Sequence, residues 1–319
     1  VTAAEVVGRI ALPGRAVHVH CADPGAFALL DELEPTLRAA GMAGVMFAEG
    51  WALGAPCGRC VRFSEAALQA AAAPGDTLLL GAQVDFPRTR LLIRLCRKLR
   101  ITSVLVFDHW KNYTEHFLGT DGPVLPDIVL MPDELGRETL LSRFAAHAAL
   151  RGYDPNRVVV LGHPAMERSV AAICGASEAS SRSLLRSLGV DDGPVAALFL
   201  DPVVPADGFG YDVATVLEFI GRWMDVNRPG VRVLVKPHPR QAAFGDAELA
   251  PLRERGVVVR TVSGPFEPLT AAADEIWGMT SLALIAALKA GKPVISFQPG
   301  RTALGRAQSN PYLEPWVII

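Results

Sequence analysis

Three short stretches combine residue types that bind or move charge. In "VRVLVKPHPRQ" (231–241) a run of β-branched and aliphatic residues stops at Lys236, Pro237, His238, Pro239 and Arg240. A cation and an imidazole suit a phosphate, through charge-assisted hydrogen bonds. Pro237 and Pro239 fix φ and hold the segment extended, so Lys236 and His238 are aimed with little entropy to lose on binding. The alternative is a proline-rich turn with solvated charges. In "GMTSLALIAALKAG" (278–291) Thr280 and Ser281 open a helix. Free N–H groups and the positive dipole end make such a start a seat for an anion, and the hydroxyls add donors. The alternative is an ordinary helix cap. In "VLVFDHWKNYTEHF" (104–117) a buried strand delivers Asp108, His109, Trp110, Lys111, Asn112, Tyr113, Glu115 and His116 in a row. Asp108 or His109 is the candidate general base toward an acceptor hydroxyl, and Trp110 or Tyr113 a candidate platform for a sugar face. The alternative is a surface loop with an N-cap aspartate and a buried tryptophan.

Other residues join these by position. His18 and His20 alternate on the first strand; His20, near its end, is a candidate for lining a cleft, and His18 reads as a core imidazole. "LGHP" (161–164) places His163 in a turn, where it either faces a cleft or serves a structural hinge. Asp201 ends the first strand of the second half, to touch a ligand or to cap the loop that follows. The glycine pair of "GFGYD" (208–212) suits a segment that closes over a ligand. Neither GxxxxGK[ST] nor GxGxxG occurs, and no DxD-type metal site is apparent.

The elements that must position these residues alternate. Short apolar runs at 15–21, 43–49, 76–82, 101–108, 127–132 and 157–164 read as strands, with helices at 25–40, 64–73, 88–100 and 134–150. The series restarts with strands at 195–202, 231–239, 256–262, 274–279 and 293–298 and helices at 212–226, 267–273 and 281–291. Repeated strand–helix–strand order implies parallel sheets covered on both faces. Ligands of such sheets sit outside the C-terminal strand ends, where all three chemical stretches fall. The expected architecture is α/β, two Rossmann-like open parallel-sheet domains facing a cleft, at 1–163 and 164–319.

Composition narrows the function. The 319 residues are 50% hydrophobic, enough apolar surface for two cores. A formal charge of −2 argues against a dedicated nucleic-acid surface. No apolar run reaches the roughly 18 residues of a spanning helix, and VTAAEVVGRI lacks the pattern of a signal peptide. The five cysteines, an odd count, read as reduced thiols in the cytoplasm. The "CGRC" pair (57–60) has no second pair or nearby histidine to complete a zinc site, so it reads as a plain loop.

Two α/β halves, a strand ending in Lys-Pro-His-Pro and a Thr-Ser pair opening a late helix resemble the GT-B glycosyltransferases. The nearest likeness is to bacterial capsule and sialic-acid transferases and to CDP-glycerol-type polymer transferases. In those families a His-Pro motif and a Ser/Ser or Ser/Thr motif bind the phosphates of the donor nucleotide. The resemblance carries that role to His238 and Pro239 and to Thr280 and Ser281, and makes the second domain the donor side and the first the acceptor side. "LGHP" is also similar to the Gly-Asn-Pro-type linker of nucleotide-sugar 2-epimerases, with His163 in the middle position. An acidic ribose contact, usual in the family's last α/β unit, has counterparts only in Glu267 and Glu275.

The expected function is metal-independent transfer of a sugar or related group from a nucleotide-activated donor to a hydroxyl acceptor, glycan or lipid-linked, in surface polysaccharide or glycoconjugate synthesis. Lys236 adds charge at the donor phosphates. No cofactor, metal or nucleic acid is expected; a peripheral membrane contact is compatible with a lipid-linked acceptor. Two alternatives use the same residues: a nucleotide-sugar hydrolase or 2-epimerase, and a non-catalytic scaffold binding a nucleotide or a partner protein.

Overall fold

The computed structural model describes residues 8, 10, 14–55, 59–190, 193–201, 212–238, 246–299 and 310–319. Pro239, Cys57 and the 208–211 glycine pair lie outside them. The chain divides into two compact units, Val1–Ala165 and Met166–Ile319.

In the first unit, in chain order, are β1 (Val17–Cys21), α1 (Pro24–Ala39), β2 (Ala43–Ala48), β3 (Cys60–Arg62), α2 (Glu65–Ala71), β4 (Thr77–Gly81), α3 (Phe86–Leu99) and β5 (Thr102–Val106). A small ribbon of β6 (Leu118–Gly119) and β7 (Gly122–Pro123) follows, then β8 (Ile128–Met131), α4 (Glu134–Ala146) and β9 (Val158–Val160). Seven strands form one parallel sheet in the order β3-β2-β1-β4-β5-β8-β9. β1 and β4 are buried along their whole length, the pattern of strands covered on both faces. Val19, Leu30, Leu79, Val104 and Leu130 form the centre of the core.

α5 (Pro164–Gly175) carries the chain past the unit boundary. After it come α6 (Glu178–Ser187), β10 (Val195–Phe199), α7 (Val213–Asn227), β11 (Arg232–Lys236), α8 (Asp246–Arg253) and β12 (Val259–Thr261). The unit ends with α9 (Phe266–Ala272), β13 (Glu275–Gly278), α10 (Leu282–Lys289), β14 (Val294–Phe297) and β15 (Val317–Ile318). Its parallel sheet has the order β12-β11-β10-β13-β14-β15, over a core that includes Leu198, Leu217, Ile220, Val233, Trp277 and Phe297.

In each unit the first strand lies inside the sheet, and the winding reverses beside it, between β1 and β4 and between β10 and β13. The crevice outside strand ends at such a reversal is the usual ligand position in open α/β sheets. Both reversals are spanned by an aspartate. Asp23, after β1, accepts a hydrogen bond from the Val84 N–H at 2.9 Å. Asp201, after β10, accepts one from the Thr280 N–H at 2.7 Å.

Local sequence accounts for the helix starts. Ser64, Asp85, Asp133, Ser177 and Asp212 each accept from a backbone N–H one turn ahead. α3 buries Leu92, Ile93, Leu95 and Cys96 and ends on Arg100 at φ 58°, a left-handed cap. Three helices fall where the strand–helix reading stopped: α5, α6 and α8. The last has Pro251 inside eight residues, which hides its periodicity. β3 replaces the expected plain loop at its last cysteine, because a three-residue edge strand carries too few side chains to show alternation. Cys60 in it is disulfide-bonded, which corrects the expectation of thiols throughout; Cys21, Cys96 and Cys174 are free.

His18 and His20 are both core groups. The His18 Nδ1 accepts from the Val45 N–H at 3.1 Å, and its Nε2 lies 3.5 Å from Asp76. His20 is fully buried, with Nε2 at 2.8 Å from Glu49, so it does not line a cleft as expected. One face of β1 packs His20 edge-on to Phe63, and this leaves it no route to solvent. Arg88 completes the group by donating to both Glu49 oxygens, at 3.1 and 2.6 Å. Burial works to raise the Glu49 carboxyl, but the hydrogen bonds and charges of His20 and Arg88 pull it down to about 2.

Two stability outcomes follow from this packing. A Cβ at Gly278 would stand 2.4 Å from the Phe199 carbonyl oxygen and 2.6 Å from Leu284 Cδ1. Backbone cannot yield as a side chain does, so Gly278→Ala should cost roughly 1–3 kcal/mol, read as a lower urea midpoint. A depressed carboxyl favours the folded state above its unfolded value and loses that contribution as pH falls toward the folded one. Glu49 therefore stabilises fully above about 4.5 and loses its contribution toward pH 2. Glu49→Gln should lower the melting temperature at neutral pH and flatten its fall across that acid window; an unchanged acid slope would refute the assignment.

Candidate functional site

Strand register brings the second unit's chemical residues to one edge. Phe199, the last residue of β10, pairs with Lys236 on one side and Gly278 on the other. With about 4.8 Å between neighbouring strands, Lys236 and Gly278 stand about 10 Å apart across the end of β10. His238 follows Lys236 by two residues, Asp201 follows Phe199 by two, and Thr280 follows Gly278 by two. The Lys-Pro-His segment and the Thr-Ser pair thus flank the Asp201 position at the reversal of the sheet.

The groups differ in what they have to offer. Asp201 accepts from both the backbone N–H and the hydroxyl of Thr280, through the same oxygen, Oδ2. Thr280 is buried and has spent its hydroxyl proton on that carboxylate. Ser281, the α10 N-cap, uses its oxygen to accept from the Ala283 N–H at 3.3 Å, a bond that does not use its own proton. Lys236 and His238 are half-buried. Burial lowers the Lys236 ammonium below its ordinary value, and the charge of Glu267 partly offsets this.

The two acidic candidates part company. Glu267 opens α9 on the same edge, near Lys236, and accepts from the Ser169 hydroxyl at 2.7 Å. Glu275 begins β13 and therefore lies on the opposite edge. There it accepts from Arg228 Nε at 2.7 Å and Trp277 Nε1 at 2.9 Å, a structural anchor that removes it as a ribose contact.

In the first unit the loop after β5 folds into a hydrogen-bonded system. His109 Nδ1 lies 2.7 Å from Asp108 Oδ1. Burial alone would raise the Asp108 carboxyl, but the charge and hydrogen bond of His109, with a further contribution from His163, hold it below the usual range. An ionised Asp108 accepts the Nδ1–H, and the His109 lone pair is then on Nε2. His163 Nε2 donates to the Asp108 carbonyl at 3.2 Å, and its ring stacks on Trp110 with centroids 6.1 Å apart. Burial lowers the His163 imidazole, with the Asp108 charge opposing. His163 thus braces the loop from within.

Trp110 and Tyr113, expected as sugar platforms, are corrected: both are buried. Trp110 Nε1 donates to Asp133 at 2.8 Å, and the Tyr113 hydroxyl donates to the His109 carbonyl at 3.3 Å. Their rings complete a cluster with Phe107 and the start of α4. His116 is buried too, edge-on to Phe86 and Phe107, and burial drives its imidazole well below the ordinary value, with the His109 and Arg90 charges adding. Beside this loop opens a cavity of about 360 Å³ lined by Phe86, Pro87, Arg90, Thr114, Glu115 and Leu118. Among the described residues no group of three or more His, Cys, Asp or Glu is arranged to hold a metal ion, and no helix is long and apolar enough to cross a membrane.

Glu49 and Arg88 were missed by sequence reasoning. Glu49 follows a strand, a signal of position, but its partners His20 and Arg88 are 29 and 39 residues away.

No protein-family model matches the chain, and no curated protein matches it. Solved structures do. The MnaA–UDP co-structure from S. aureus has a TM-score of 0.62 at 11% identity, covering 96% of this chain and 83% of that one. The UDP-GlcNAc 2-epimerase from Neisseria meningitidis bound to UDP-GlcNAc has a TM-score of 0.60 at 11% identity, covering 91% and 85%. Anabaena Alr3699/HepE in complex with UDP and glucose has a TM-score of 0.53 at 13% identity, covering 91% and 82%. At such identities the likeness speaks for architecture. With its two parallel-sheet α/β units, each reversing beside its first strand, the chain has the GT-B fold.

Proposed function

We propose that the protein is a nucleotide-sugar-dependent glycosyltransferase acting on a hydroxyl acceptor without a metal ion. The observation that carries this reading is the Asp108–His109 pair, a buried carboxylate holding Nδ1 of a partly exposed imidazole. His109 Nε2 removes the acceptor hydroxyl proton, and Asp108 orients the ring and stabilises the imidazolium that forms. The acceptor oxygen forms the new bond to the sugar carbon, while the bond from that carbon to the donor phosphate oxygen breaks. The electron pair leaves with the nucleotide. Lys236, His238 and Ser281 hold the donor phosphates where that charge develops, with Pro239 stiffening the segment. Thr280 acts through Asp201, which fixes the start of α10. Glu267 takes the ribose. Donor binding belongs to the second unit and proton removal to the first.

The neighbours solved with UDP or UDP-GlcNAc make uridine nucleotides the first donors to try. The acceptor is a glycan or a lipid-linked hydroxyl, the latter implying a peripheral membrane contact, and the enzyme works in the cytoplasm where activated sugars are made. A second reading draws on the fold shared with 2-epimerases. There the same imidazole takes a proton from the sugar itself, or activates water. Product analysis with a labelled donor separates the three: new glycoside, changed stereocentre, or free sugar.

A thermal-shift panel of UDP-, CMP-, CDP- and GDP-linked compounds should single out one base, since ligand at 100 times its dissociation constant adds about 2.7 kcal/mol. With that donor, Asp108→Asn and His109→Gln should each lower kcat by about 10²–10⁴ while leaving donor KM nearly unchanged. Lys236→Ala should instead weaken donor binding by roughly tenfold or more, the loss of a charged hydrogen bond. Activity should persist in excess chelator; an absolute Mg²⁺ requirement would overturn the proposed phosphate grip.

A further inference from the structure

One buried amide, on the same sheet edge as the Asp108–His109 pair, has no hydrogen-bond partner for its nitrogen among the described residues. β4 and β5 pair in register with Gly81 opposite Val106. Gln83 follows Gly81 by two residues and Asp108 follows Val106 by two, so both lie just past the ends of neighbouring strands on one sheet edge. Its backbone surroundings are well held: the Ala82 N–H donates to the Val106 carbonyl at 2.8 Å, and the Val84 N–H to Asp23 at 2.9 Å. Gln83 is 5% exposed, and its Nε2 is buried with no hydrogen-bond partner among the described residues. Leaving such a group unpaired is costly, and folded proteins tolerate few.

The surroundings favour an external partner. Val84, the next residue, is 62% exposed, so the chain at this point is at the mouth of the sheet edge and not in its core. The winding of the first sheet reverses here, between β1 and β4, the position where open α/β sheets take ligands. His116, edge-on to Phe86 three residues along from Gln83, likewise has both ring nitrogens buried without partners among the described residues. A carboxamide N–H calls for an oxygen acceptor, and a sugar supplies several in hydroxyl and ring oxygens.

We infer that Gln83 is a substrate-binding residue, whose Nε2–H donates to a sugar oxygen of the substrate presented to His109. The identity of the substrate as a sugar rests on the transferase reading; the unpaired Nε2 of Gln83 does not. A residue kept for binding should destabilise the empty protein. Gln83→Leu, of similar volume, is therefore expected to melt higher than wild type by a degree or more, and to bind the sugar about two- to tenfold more weakly, the loss of one neutral hydrogen bond.

The experiment pairs two measurements. Melting curves of wild type and Gln83→Leu are compared, and the ¹⁵N-labelled Gln83 side-chain amide of wild type is followed by NMR. UDP-GlcNAc, UDP-glucose and methyl glucosides are each titrated into the intact protein. A saturable shift of that amide with at least one of them, and a higher melting point for the variant, are the expected results. A lower melting point would mean that the amide is already satisfied within the fold, and an amide unmoved by every probe would mean that no sugar reaches it; either overturns the inference. If the amide shifts but no sugar is passed to any hydroxyl, the transferase reading fails and the role of Gln83 stands.

Discussion

The carboxylate that spans the reversal of each sheet is the interaction on which the rest of the architecture turns. Parallel strands that part at a reversal leave backbone N–H groups without ladder partners, and buried donors must be paired. Asp23 and Asp201 supply the missing acceptors, each two residues beyond the first strand of its unit. In the second unit the same oxygen also takes the Thr280 hydroxyl proton, which fixes the start of α10 and leaves Ser281 as the hydroxyl with a proton to offer. In the first unit the clasp holds Val84, and with it the Gln83 position.

The two units share a winding but use it differently. The second gathers cations and a helix start on one sheet edge, with Lys236 and Gly278 a strand's width to either side of Phe199. The proposed grip on the donor phosphates rests on this arrangement. The first gathers imidazoles and carboxylates. His20, Glu49 and Arg88 form one group and Asp108, His109 and His163 another, each built on strand ends. Their electrostatics differ as well. Glu49 is pinned by a guanidinium and an imidazole and is spent on holding β1, β2 and α3 together. Asp108 is pinned mainly by the imidazole it orients, and the other nitrogen of that ring remains for chemistry.

Burial sorts the candidates that sequence placed side by side. Between 107 and 117 the chain alternates groups that pack inward with groups that stay near the edge. Trp110, Tyr113 and His116 turn in against Phe107, Phe117 and Phe86, and only His109 of the aromatic and imidazole set keeps partial exposure. A row of polar and aromatic residues in a loop cannot declare this division, because the inward direction is set by α3 and α4 and not by the loop's own spacing.

The amino-acid sequence by itself determined the strand and helix series, the parallel sheets and the placement of Lys236, His238, Asp201, Thr280 and Asp108 at strand ends. Those follow from apolar runs, caps and the period of each element, all local properties. It did not reveal β3 or α8, which are too short or too interrupted to show a period, nor the oxidised state of Cys60. Only the tertiary structure decided that Asp201 belongs to Thr280, that Glu275 lies on the wrong edge, that His20 serves Glu49, and that the Gln83 amide nitrogen is buried without a partner among the described residues. Each of those depends on which strands are neighbours and in what register, and register joins residues tens of positions apart through hydrogen bonds that no local pattern encodes.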